Sequence, residues 1–207
     1  MTAQKTIIIF ANSRKNGGHC VAGKCLDTGN WVRPVADARG GALAQWQTRY
    51  TNQYGTFESV KPLQKIRMKL TKHVPLPHQR ENHLISGDLW EQEYKISAAA
   101  ITNHLDSPGS IWGDSDRVSV QDIQQWRSQN HGSLLLVEVA DLSFTPNNTQ
   151  ARAKFRYQGI NYDLAVTDNA FSVFAGKHYS SGVALCISLG EAFHGNHYKL
   201  VAGIHLL

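Results

Sequence analysis

Between Ile7 and Val35 the chain alternates short strand-forming runs with two glycine-bearing turns, a pattern that leaves few folds open. Ile7-Ile8-Ile9-Phe10 is the continuous apolar run of a buried strand. Asn16-Gly17-Gly18 and Asp27-Thr28-Gly29-Asn30 supply the positive-φ positions of tight hairpin turns. The segment therefore reads as an antiparallel meander that curls into a sheet. Arg14, Lys15, Lys24, Trp31 and Arg33 stand around its turns. On one shared surface they form a platform for phosphates and stacked bases. Scattered over an ordinary β domain, they are solvated surface charges.

Composition bounds the answer further. With 42% hydrophobic and 18% charged residues the chain is globular, which excludes wholesale disorder. Its 207 residues hold one domain or two small β modules. There is no apolar run of membrane-spanning length and no charged-then-apolar leader, so a soluble, cytoplasmic protein without a membrane partner is expected. Cys20, Cys25 and Cys186 leave one cysteine unpaired, in keeping with a reducing compartment. Charge is unevenly spread: residues 1–82 carry 13 Lys and Arg against 4 Asp and Glu, whereas residues 83–207 carry 8 against 12. A polyanionic partner would be steered to the basic half, with an affinity that falls as salt rises.

Taken in order, Ala42 to Tyr50 reads as a short helix between strands. Lys65-Ile66-Arg67-Met68-Lys69-Leu70 alternates strictly, with Ile66, Met68 and Leu70 inward and the cations outward. That outer face suits a phosphate-tracking ribbon, or an edge strand guarded by its lysines. The prolines of Val74-Pro75-Leu76-Pro77 force an extended path into His78, Gln79, Arg80, Glu81 and Asn82. Ser97 and Ser119 are N-cap residues for helices over Ala98–Leu105 and from Val120 to Trp126, the second ended by His131-Gly132. Leu134 to Phe144 is a central strand. Arg152, Lys154 and Arg156 then face away from Ala153, Phe155 and Tyr157 in a hairpin that turns at Gln158-Gly159 and returns over Asn161 to Thr167. Val183–Leu189 and Tyr198–Leu207 add two more strands. The fold class is mainly β with short helices: two OB-like five-stranded barrels, residues 1–85 and 134–207, joined by a helical bridge over 86–133.

Several phrases carry a resemblance. They are Ala11-Asn12-Ser13-Arg14-Lys15, Gly23-Lys24, Trp31-Val32-Arg33-Pro34-Val35, Pro77-His78-Gln79-Arg80-Glu81-Asn82, Val166-Thr167-Asp168, Cys186-Ile187-Ser188-Leu189-Gly190-Glu191 and Tyr198-Lys199-Leu200-Val201-Ala202. In this order they resemble the motifs of the dual OB-containing domain family of bacterial proteins. The resemblance implies two OB-like barrels and, by analogy with OB folds, an oligonucleotide or nucleotide ligand. Arg80 stands where the resembling pattern tends to have proline, which implies a more flexible loop.

No enzyme constellation emerges, and neither a cofactor nor a metal is expected. Cys20, Cys25 and His19 lack a second ligand pair at zinc spacing. Asp168 and Glu191 could pair for phosphodiester cleavage, but an Asx turn and a loop acid binding backbone amides describe them better. The leading reading is a nucleic-acid-binding module, single strands favoured. In it Arg14, Lys15, Lys24, Arg33, Lys65 and Arg67 meet phosphate and Trp31 stacks a base. The alternatives are a nucleotide or small-ligand sensor, with a pocket of Gln79, Glu81, Asn82, Thr167 and Asp168, and an adaptor for a protein partner.

Overall fold

The computed structural model describes residues 3–15, 17–52, 54–126 and 132–207, which form two compact units divided between Ala100 and Ile101. The first unit holds β1 (Ala3–Lys15), β2 (Gly18–Cys25), β3 (Trp31–Val35), β4 (Arg49–Thr51), β5 (Phe57–Ser59), β6 (Gln64–His73), β7 (Asn82–Ile85) and β8 (Trp90–Lys95). Strands β1, β2, β3, β7 and β6 pair in a ring that returns to β1, a closed five-stranded barrel. One strand can serve two partners because β1 is long and bent. Ala3–Ile8 pairs with β6, Ile7–Lys15 pairs with β2, and a register shift between Ile9 and Ala11 turns the strand from one to the other. The apolar run thus fills two faces, with Ile7 and Ile9 inside among Val21, Val32, Ile66, Met68 and Leu70.

Outside the barrel the same sheet continues through β8 and β4 to β5. This alters two expectations. Strand β6 is flanked by β1, β7 and β8, so it is not a guarded edge. Ala42–Tyr50 is not a helix. Leu43 exchanges backbone hydrogen bonds with His19, a 3-10 turn covers Gln45–Thr48, and buried Tyr50 pairs as a strand residue opposite Trp90. Tertiary pairing outweighs the weak local preference.

The second unit holds β9 (Arg117–Ser119), α1 (Val120–Gln125), β10 (Leu134–Phe144), β11 (Arg152–Tyr157), β12 (Ile160–Val166), α2 (Phe171–Phe174), β13 (His178–Tyr179), β14 (Val183–Phe193) and β15 (Asn196–Leu206). Here β10, β11, β12, β15 and β14 close a ring of the same order, with β12 and β15 parallel as β3 and β7 are in the first barrel. Strand β10 repeats the device of β1: Leu134–Val139 pairs with β14, and Ala140–Phe144 pairs with β11 across a register shift between Ala140 and Ser143. Ser119 caps α1 as expected, its Oγ accepting from Asp122 N at 3.0 Å. The end assigned to His131 lies outside the described residues.

The stretch 86–133 carries short helices, as expected of a bridge, together with two strands that belong to the units. Trp90–Lys95 is a strand of the first sheet, fixed by the fully buried Trp90, and Arg117–Ser119 is a strand against β15 of the second. Among its described residues, Ala98–His104 is a 3-10 helix and α1 is short. Among the described residues, no helix is long and apolar enough to cross a membrane.

Lys199, on β15, is buried, and its Nζ donates to the carbonyls of Gly113 (3.0 Å) and Ser115 (2.5 Å). Burial pushes its pKa from 10.5 down to about 8, against the opposing pull of Asp114 and Asp116. The charged form is less favoured folded than unfolded, so stability rises with pH between about 8 and 10.5. Urea midpoints taken from pH 7 to pH 10 are expected to show this rise in the wild type and not in Lys199→Met. Equal slopes in the two proteins would refute the assignment.

Candidate functional site

In the first barrel the expected cations divide by environment. Arg33 sits on β3 and Glu81 just before β7, and the Arg33 amide donates to the Glu81 carbonyl (2.9 Å) where the two strands meet. Their side chains, 3% and 4% exposed, form a buried ion pair through Arg33 Nε (3.1 Å) and Nη2 (3.1 Å) to Glu81 Oε1. Arg33 Nη1 also donates to Cys20 Sγ at 2.7 Å. Burial opposes the Arg33 charge, but Cys20 and Glu81 outweigh it and hold the guanidinium above its ordinary pKa. Arg33 is therefore tied inside the protein and does not face solvent phosphate.

Lys24 is also buried, its Nζ 5.3 Å from the centroid of the Trp31 ring, and half-buried Trp31 packs edge-on against Phe10 at 6.1 Å. Lys65 is buried beneath Tyr94, to whose hydroxyl its Nζ donates. Arg67 pairs with Glu91, and beside it Lys69 reaches Asp88 at 3.5 Å. Along the ribbon expected on β6, Lys65 is thus covered, while Arg67 and Lys69 lie in solvent-exposed ion pairs with Glu91 and Asp88. Arg14 is exposed near the end of β1, and the Lys15 side chain lies outside the described residues.

The expected pocket residues are divided between the units: Gln79, Glu81 and Asn82 in the first, Thr167 and Asp168 in the second. Each makes bonds within its own unit. Asn82 Nδ2 donates to Gln79 Oε1 (3.3 Å), and Thr167 Oγ1 donates to Val201 O (3.4 Å). Asp168 Oδ1 accepts from Ala170 N and Oδ2 from Ile204 N, both at 2.8 Å, the amide-binding role read from its loop position. Burial raises the Asp168 pKa against the pull of these two amides. Asn82 Oδ1 differs, a buried acceptor with no hydrogen-bond partner among the described residues.

The second barrel offers a further open surface. On β11, Ala153, Phe155 and Tyr157 are buried, while Lys154 and Arg156 are exposed, as the alternation predicted. A groove of about 360 Å³ runs along the outer face of the β11–β12 hairpin, lined by Lys154, Arg156, Asn161, Asp163 and Asp141. Arg156 Nη2 lies 2.7 Å from Asp141 Oδ2, Arg152 Nε 2.6 Å from Asp163 Oδ1, and Lys154 Nζ 3.9 Å from Asp163 Oδ2. These pairs are solvent-exposed, in contrast to Arg33–Glu81, so each contributes about 0–1 kcal/mol and exchanges readily for another anion. The alternation was legible in the sequence; which outer faces stay uncovered was not.

Two closed barrels with the strand ring of an OB fold, in tandem, define the class. The chain belongs to the dual OB-containing domain family, whose model matches residues 5–204. Among solved structures it is similar to a murine DNA-binding protein bound to double-stranded DNA, at 8% identity over 100% of both chains with a TM-score of 0.39. It is also similar to tetrameric p202 HIN2, at 8% identity over 99% of this chain and 92% of that one, with a TM-score of 0.34. No curated protein sequence matches it.

Proposed function

We propose that the protein binds nucleic acid, single strands in preference to duplex, and that the outer face of the β11–β12 hairpin holds the backbone. The observation that supports this reading is the exposed pair Lys154 and Arg156, with half-buried Arg152 next in the row, beside Asn161 on the second barrel. In OB folds the second and third strands of the barrel take oligonucleotides, and β11 and β12 occupy those places in the ring. The row's ion pairs are weak enough for a phosphate to displace the aspartates. Arg14, exposed on the first barrel, adds a further cation.

Fluorescence anisotropy with labelled single-stranded DNA, single-stranded RNA and duplex across a salt series tests this. Single strands are expected to bind most tightly. Lys154→Ala/Arg156→Ala should weaken them by about tenfold or more and reduce the salt slope by roughly 1.4, since each phosphate contact on a single strand contributes about 0.7. No binding of any of the three at low salt would remove the proposal. Tighter binding of duplex would remove the single-strand preference.

A further inference from the structure

Between β3 and β6 the first unit carries an insertion that none of the assignments above uses. Its buried apolar residues, Leu43, Tyr50 and Val60, hold it to the barrel core. Its exposed large apolar side chains are all aromatic: Trp46 at 62%, Tyr54 at 80% and Phe57 at 62%. Trp46 stands on the 3-10 turn and Phe57 on β5, elements that touch, and Tyr54 stands in the turn between β4 and β5. On the hairpin, Tyr50 faces Glu58 on the buried side, so Arg49, Thr51 and Phe57 share the other. The hairpin's acid lies on the Tyr50 face, its side chain 41% exposed, with Glu58 accepting from Tyr50 Oη (3.2 Å) and Asn52 Nδ2 (3.1 Å).

The turn is held in place. Asn52 Oδ1 accepts from the amides of Tyr54 (2.9 Å) and Thr56 (3.0 Å), and Gly55 takes the positive φ of 75° that closes it. Gln64 Nε2 donates to Tyr50 Oη at 2.6 Å and anchors β4 to β6. Two rings raised on an anchored hairpin, with Trp46 on the 3-10 turn that touches it, lose little backbone freedom when something stacks on them. The exposed apolar side chains here are rings, whose π faces can stack on any base, with the exposed Arg49 among them. The unit around it is basic, with 14 Lys and Arg against 7 Asp and Glu over residues 1–100.

We infer that Trp46, Tyr54 and Phe57, with Arg49, form a base-stacking platform for single-stranded nucleic acid, separate from the β11–β12 groove. The inference rests on the nucleic-acid reading proposed above. Stacked bases need exposed faces, which a duplex hides, and the exposed cation Arg49 suits the intervening phosphates.

The test is anisotropy of the wild type and of Trp46→Ala/Tyr54→Ala/Phe57→Ala with a labelled 12-nucleotide single strand and with duplex. Because the three rings are exposed, the variant is expected to keep the wild-type melting temperature. Its single-strand affinity should fall by about fivefold or more per stacked ring, from roughly 1–3 kcal/mol per base, at an unchanged salt slope. Lys154→Ala/Arg156→Ala should instead lower the slope. Wild-type affinity in the aromatic variant, with binding still lost in the Lys154/Arg156 variant, overturns the platform and leaves the nucleic-acid reading standing. No binding by the wild type overturns both. A wild-type dimer in sedimentation that becomes monomeric in the aromatic variant, with strand binding unchanged, assigns the rings to a second copy of the chain and also overturns the platform.

Discussion

Replacing Glu81 by alanine is expected to lower the unfolding free energy by about 3–5 kcal/mol, enough to unfold a marginal domain. The cost comes less from losing an attraction than from what remains. Arg33 is left as a guanidinium in a site where its side chain is 3% exposed, without the carboxylate that balances its charge. Arg33→Ala strands the Glu81 carboxylate in the same way. Joint replacement of the pair by apolar residues should cost less than the two single changes added together, because neither charge is then orphaned. Urea denaturation of the two single variants and the double variant measures this. Losses below 1 kcal/mol in the singles would mean that water reaches the pair. Asp163→Ala is the internal comparison. It breaks an exposed pair with Arg152 of shorter distance, 2.6 Å, yet should shift stability by less than about 1 kcal/mol. Burial, not distance, decides the order of the two effects.

Gly23→Ala should be nearly as damaging although it adds a single methyl group. Gly23 lies on β2 opposite Ile9 where β1 begins its bend, and a Cβ there would stand 2.1 Å from the carbonyl oxygen of Ile8 and 2.8 Å from its carbon. The obstructing atoms are backbone in the middle of a paired strand, so no side chain can rotate out of the way. Relief requires β1 and β2 to separate at the point that closes the barrel. We expect a loss of about 3 kcal/mol, the upper part of the range for overpacking. Gly109 meets no atom within 4 Å and has no positive φ, so Gly109→Ala should be neutral or slightly stabilising, by up to about 1 kcal/mol. Melting curves of the two variants side by side check the pair of predictions. A tolerated Gly23→Ala would mean that the two strands are not in close contact at Ile8.

The strands were legible where alternation or an apolar run is strong. Ile66, Met68 and Leu70 are buried as their period required, and so are Ala153, Phe155 and Tyr157. Turn residues, the Ser119 cap and the Asp168 turn to Ala170 N were likewise local, set by groups a few residues apart, whereas the second Asp168 bond, to Ile204 N, joins distant segments. The Ala42–Tyr50 segment misled because Leu43 and Tyr50 answer to His19 and Trp90, partners that no local window contains.

The candidate site divides along the same line. The sequence by itself determined that two β modules follow one another and which residues on each strand point outward, because side-chain direction alternates with the backbone. It also determined where the basic residues are concentrated. Only the tertiary structure decided which of those outward residues meet solvent. Lys24, Arg33 and Lys65 all point out of the first barrel and are all buried, Arg33 against a carboxylate and Lys65 beneath a tyrosine ring, whereas Lys154 and Arg156 stay exposed. The physical reason is that alternation fixes the side of a strand a residue takes, while its hydration depends on what distant segments lay over that side.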